Sequence, residues 1–140
     1  MKTLIVYQSK TGTTKKFAEE IGSYAKQKNM DVTVTSVADL NVNKVDSFDV
    51  ILLGCWTHGL MIVLQHPEKE WMKMAQELPS LENKKVGLFA TYKLATGTMF
   101  KKMRKQIKAD VKFEIKSKHG ELSDKNKEIL DAFFDKGTRS

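Results

Sequence analysis

The sequence predicts an α/β fold, a doubly wound five-stranded parallel sheet with helices on both faces, as a single domain over residues 1–140. Three observations lead there. Short apolar runs without alternation, such as Leu4-Ile5-Val6-Tyr7, suit strands buried on both faces of a parallel sheet. Between them, apolar residues recur at helical spacing, and alternation of this kind implies right-handed crossovers. Three unusual loops follow the strands at their C-terminal ends, where open α/β sheets bind their ligands.

The elements follow in order. After Leu4 to Tyr7 the period changes: Phe17, Ala18, Ile21 and Ala25 mark a helix opened by Thr13 or Thr14. Asp31 to Val37 alternates with period two, as an edge or half-exposed strand does, and Asn41 to Phe48 reads as a connecting loop or short turn. Asp49 to Gly54 is the most apolar run in the chain and is expected to be a central strand. Pro67 suits the first turn of a helix, Glu68 favours its N-terminus, and Trp71, Met74 or Ala75, and Leu78 give it an apolar face before Pro79 stops it.

Leu81 to Lys85 is expected to be a polar turn, and Val86 to Ala90 a third buried strand. Met99, Phe100, Met103 and Ile107 share one face of a helix whose other positions carry Lys101, Lys102, Arg104, Lys105 and Lys108. That cationic surface is either a solvated face or a docking surface. Val111 to Lys116 alternates as the last strand, and Ser123 caps a terminal helix with Ile129, Leu130, Phe133 and Phe134 inward.

The chemistry begins in the first loop, Ser9-Lys10-Thr11-Gly12-Thr13-Thr14. The opening N–H groups of the following helix have no partner within it, and with the helix dipole they favour an anion. The hydroxyls of Ser9, Thr11, Thr13 and Thr14 add donors for phosphate oxygens, Gly12 permits a sharp turn, and Lys10 is the loop's one charge. The spacing excludes both a P-loop and the three-glycine dinucleotide fingerprint. Taken alone, the same hydroxyls would also serve to cap a helix.

An N-terminal strand running into Ser-x-Thr-Gly-x-Thr resembles the flavodoxins, in which this loop holds the monophosphate of FMN. The second loop, Gly54-Cys55-Trp56-Thr57-His58-Gly59, is similar to the family's Gly-Cys-x-Thr-aromatic-Gly. The resemblance covers nearly the whole chain and points to the short-chain members, because the last strand carries no long insertion. It implies a flavodoxin-like fold and FMN as cofactor. It also implies that His58 stands where many flavodoxins stack a tryptophan, with Trp56 two residues earlier and either side chain able to cover the ring. In flavodoxins the peptide after the stacking residue turns its carbonyl toward flavin N5 on one-electron reduction, and the resemblance implies that Gly59 would make this inexpensive. Cys55 is read as buried packing in preference to redox chemistry.

In the third loop, Thr91-Tyr92-Lys93-Leu94-Ala95-Thr96-Gly97, flavodoxins commonly carry acidic residues beside an aromatic. This chain has Tyr92 next to Lys93 and no carboxylate. Tyr92 is a candidate for the outer ring face, the backbone of Thr91 and Tyr92 for the flavin's pyrimidine edge, and Gly97 closes the loop.

The formal charge of +7 also departs from the acidic family pattern and implies redox partners with an acidic docking surface. Nucleic acid is disfavoured, since the lysines are dispersed and no recognised binding motif is present. No apolar run approaches the length of a membrane span, the N-terminus goes straight into a strand without a signal-peptide pattern, and Cys55 is the sole cysteine. These features lead to the expectation of a cytoplasmic monomer. The leading function is an FMN electron shuttle. The alternative is a flavodoxin-like reductase or dehydrogenase acting directly on a quinone, tetrapyrrole or flavin; the related protoporphyrinogen dehydrogenases start similarly but need an insertion for which this chain has no room. A third possibility is a basic interaction module without flavin, against which the intact first loop argues.

Overall fold

The computed structural model describes residues 2–57, 67–93 and 96–138, with side chains as far as Phe134. Leu4, Ile5 and Val6 of β1 (Lys2–Gln8) are all buried because the strand has neighbours on both sides and helices over both faces. Its partners are β2 (Asp31–Ser36) and β3 (Val50–Trp56), followed outward by β4 (Lys85–Thr91) and β5 (Val111–Ser117). All pairings are parallel, in the order β2-β1-β3-β4-β5.

Neighbouring residues on one strand feed opposite faces, which explains why the central runs are continuously apolar. Ile5, Leu52, Phe89 and Ile115 pack with Phe17, Ala18 and Ile21 of α1 (Thr13–Gln27) and Leu130, Phe133 and Phe134 of α4 (Asp124–Thr138). Leu4, Val6, Leu53 and Leu88 pack with Trp71 and Met74 of α2 (Lys69–Glu77) and Met99 and Met103 of α3 (Met99–Lys105). The Tyr24 hydroxyl donates to Asp131 at 2.5 Å and ties α1 to α4; that bond first, then the Lys28 ammonium, holds the Asp131 carboxyl below the usual carboxylate range.

The five predicted strands and four predicted helices are present. Gly12, at φ +94°, precedes α1, which opens at Thr13. Ser123 caps α4, its Oγ accepting the Asn126 N–H at 3.0 Å.

Several boundaries differ from the expectations. The connector after β2 contains a short 3₁₀ helix, Val42–Ser47, started by Asn41, whose side chain accepts the Asn43 N–H. Pro67 lies ahead of α2 and Glu68 is its cap, accepting the Glu70 N–H at 2.8 Å. Leu81, expected in a polar turn, is fully buried, and its N–H donates to the Lys108 carbonyl at 2.7 Å. β3 and β4 run further than expected because the ladder continues through Cys55↔Ala90 and Trp56↔Thr91.

The order of the strands reverses between β1 and β3: from β1 the chain moves outward to β2, then returns to β3 and continues the other way. Such a switch opens a crevice at the C-terminal strand ends.

Candidate functional site

The first loop leaves β1 at Gln8 and enters α1 at Thr13. The positive φ of Gly12 is costly for residues bearing a Cβ, although that atom would meet nothing within 4 Å, so backbone conformation and not crowding selects glycine here. No side chain caps α1. Its opening N–H groups are therefore oriented for an external acceptor. Lys10, Thr11 and Gly12 are exposed, and Ser9 and Thr13 half-buried. Ser9 Oγ accepts the Gly12 N–H at 3.0 Å, and the Thr11 and Thr13 hydroxyls lie 3.4 Å apart.

Thr14 behaves differently from the other hydroxyl residues. It is buried, and its Oγ1 lies 2.6 Å from the Thr91 Oγ1, joining the first loop to the end of β4. The second loop is tied to the same place, because the Thr57 N–H donates to the Thr91 carbonyl at 2.8 Å. Lys10 completes the convergence, its Nζ lying 5.1 Å from the centre of the Trp56 ring.

Trp56 and Tyr92 are both half-buried. The Lys116 Nζ lies 5.8 Å from the Tyr92 ring centre, and the Tyr92 N–H donates to the Ser117 carbonyl at 3.3 Å. The Thr91 carbonyl thus ties the second loop to the end of β4, and the Tyr92 N–H ties the third loop to the end of β5. Lys93 and Gly97 are exposed. His58 and Gly59 lie outside the described residues.

Cys55 turns its side chain away from this convergence. The thiol packs in the core beneath α2 and accepts the Glu68 N–H at 3.3 Å. Burial pushes its pKa from 9.0 up to about 12. Native protein is therefore expected to resist alkylation at mildly alkaline pH and to react once unfolded. Because the unfolded thiol ionises first, stability should fall as pH rises from about 9 toward 12. Labelling of the native protein at the rate of the unfolded chain would contradict this placement.

Sequence reasoning missed the Thr14–Thr91 pair, whose members stand 77 residues apart. It also missed Gln8, whose amide donates to Glu68 and Glu70 at 3.2 and 3.3 Å and so fastens the end of β1 to the start of α2. No local pattern announces either contact. Among the described residues no cluster of His, Cys, Asp and Glu could hold a metal, and no helix is long and apolar enough to cross a membrane.

A family model described as a flavodoxin domain matches residues 4–138. The chain belongs to the flavodoxin family. It is 39% identical over 93 residues to a flavodoxin of Megasphaera elsdenii, covering 66% of each chain. To a flavodoxin of Clostridium beijerinckii it is 34% identical over 89 residues, covering 63% of this chain and 62% of that one. The aligned stretches thus fall short of two thirds of these relatives' length. In three dimensions, the solution structure of two-electron reduced Megasphaera elsdenii flavodoxin matches 94% of this chain and 97% of its own, with a TM-score of 0.74 and 30% identity. Oxidised Flavodoxin 2 from Bacillus cereus shares the fold at a TM-score of 0.75 and 21% identity.

Flavodoxins bind FMN, and the donor set at these loops fits that group. An uncapped helix start with hydroxyls around it suits a phosphate. Two half-buried aromatics suit a flat ring. The Thr57 Oγ1 is buried with no hydrogen-bond partner among the described residues, an arrangement that a polar ligand atom would relieve.

Proposed function

We propose that the chain is a one-domain FMN electron carrier. It would take electrons from a reductase or low-potential donor and pass them to an acceptor whose docking surface is acidic. The observation that carries this reading is the convergence of three loops at the strand-order switch, with the α1 N-terminus uncapped and Lys10 set over Trp56.

In this reading Ser9, Thr11 and Thr13 and the first N–H groups of α1 hold the phosphate. Lys10 offsets part of its charge. Thr14 and Thr91 form the frame behind it. Trp56 and Tyr92 would cover the ring, His58 is a further candidate to contact it, and the Thr57 hydroxyl would donate to a polar atom of the cofactor. Bound FMN supplies one-electron redox chemistry that no side chain here supplies. The protein's own contribution is orientation, exclusion of water and electrostatic bias.

That bias is cationic. The third loop carries Lys93 and no carboxylate, and Lys116 lies against Tyr92. Positive charge stabilises fully reduced, anionic FMN. The second reduction potential should therefore be less negative than that of an acidic flavodoxin measured alongside, and the gap should narrow as salt screens the charges. A second potential as low as the acidic protein's would contradict the proposed electrostatics. In the same preparation, NAD(P)H with a quinone acceptor should give no turnover until a flavodoxin reductase is added. Turnover by the isolated protein would favour an enzyme with its own substrate. The +7 charge opposes self-association and supports a monomer, and the lone cysteine supports a cytoplasmic location.

A further inference from the structure

β5 is the outer strand of the sheet, and a cleft of about 860 Å³ crosses its exposed edge from α3 to α4. Tyr92, Thr96 and Gly97 of the third loop form one end of the cleft. Phe100, Ile115 and Ile129 give it an apolar floor. Five cations line it: Lys101, Arg104, Lys116, Lys118 and Lys125.

We propose that this cleft docks an acidic segment of a partner protein, one whose carboxylates flank an apolar side chain. This deepens the electron-carrier reading, on which it rests for the partner's being a redox protein. The charge arithmetic favours such an occupant. Glu114 and Glu121 are the carboxylates in the lining, and each already has a cation: Arg104 at 2.6 Å and Lys16 at 3.4 Å. Lys101, Lys118 and Lys125 are exposed and have no ion pair among the described residues. Lys116 is exposed as well, resting against Tyr92.

The backbone edge is partly closed here. The Asn126 amide donates to the Lys116 carbonyl at 3.1 Å, so this part of the edge is poorly suited to accept another strand. What the cleft offers is cationic side chains over an apolar floor, which selects carboxylates together with an aliphatic or aromatic side chain. A second copy of this +7 chain would bring like charge to the cleft and be repelled. Because Tyr92 lines one end of the cleft, a segment seated in it lies against a candidate ring-covering residue.

The test is fluorescence anisotropy at low salt with a short labelled peptide of Asp and Glu around a central Leu, titrated with the protein as purified. Backbone NMR shifts would map the contact. The expected result is binding of one peptide per chain, with shifts at Lys101, Lys116, Lys118 and Lys125. The double charge reversal Lys101→Glu and Lys125→Glu should weaken it about tenfold or more. Lys26→Glu, exposed in the last turn of α1, should leave it unchanged. FMN content and visible spectrum, recorded on each variant, keep the two readings separate. Peptide binding with no FMN would remove the electron-carrier reading and still support the cleft. FMN bound normally, with peptide affinity indifferent to the charge reversals or shifts mapping elsewhere, would overturn the docking proposal. Tighter binding of a single-stranded oligonucleotide or of inorganic tripolyphosphate than of the peptide would overturn it too.

Discussion

Replacing Gly54 by alanine is expected to destabilise the protein by about 3 kcal/mol, the upper end of what overpacking a core usually costs. A Cβ at this position would stand 2.0 Å from Phe89 Cε2 and 2.3 Å from two further atoms of the same ring. Gly54 and Phe89 are register partners on β3 and β4, so the ring lies directly over the glycine. It has little freedom to leave, because it also packs edge-on against Phe17 of α1 at a centroid separation of 5.8 Å. Chemical denaturation would measure the loss. Phe89→Leu in the same background should recover part of it, since a smaller side chain vacates the contested space, giving a coupling of opposite sign to the two single losses. Equal stability of Gly54→Ala and the parent would mean that Phe89 is not where it is described. As Gly54 immediately precedes Cys55 and Trp56, the same substitution should also disturb the second loop.

Trp56→Ala is expected to weaken FMN binding by about 2 kcal/mol, or about 30-fold, the loss associated with removing an aromatic stacking surface. Trp56 is the last residue of β3, and its half-buried ring packs against the core on one side and lies beneath the Lys10 ammonium of the first loop on the other. Quenching of FMN fluorescence on titration with apoprotein gives the affinity, and thermal unfolding of the apoprotein by circular dichroism separates a binding defect from a folding one. An unchanged affinity would make Trp56 a packing residue and pass the stacking role to His58 and Tyr92. Trp56→Phe should restore most of the loss if ring stacking is the cause.

The parts of the fold that could be read from the sequence are those where burial is symmetrical. Val50, Ile51, Leu52 and Leu53 are all buried because both faces of β3 are covered, and such a run has few other uses in a chain of this composition. α1 was legible for a related reason, since Phe17, Ala18, Ile21 and Ala25 present one stripe to a single sheet face. Leu81 failed as a local signal because it is one apolar residue among Ser80, Glu82 and Asn83. Its burial depends on the turn around Lys108, which sequence proximity does not reveal. The ends of β3 and β4 were placed too early because Trp56 and Thr91 read as loop residues, while the ladder between the two strands carries both into the sheet.

At the site, individual residues were legible and their pairing was not. The first loop is a contiguous pattern whose chemistry depends on the start of the helix that follows it, so Ser9 to Thr14 could be singled out from the chain alone. That Thr14 spends its hydroxyl on Thr91, that Lys10 covers Trp56 and that Lys116 lies against Tyr92 are consequences of strand order, which brings the three C-terminal ends together. Lys116 was legible as an exposed strand lysine, and its relation to a candidate ring-covering residue was not.

In the proposed reading these loops recognise a flavin through its phosphate. The most direct test is a fluorescence titration of apoprotein with FMN and, in parallel, with riboflavin, which shares the ring and lacks the phosphate. The expected result is one FMN per chain, with riboflavin bound weaker by about a hundredfold or more, since charge-assisted hydrogen bonds to the first loop would be lost. Equal affinity for the two, or no quenching of either, would contradict the account.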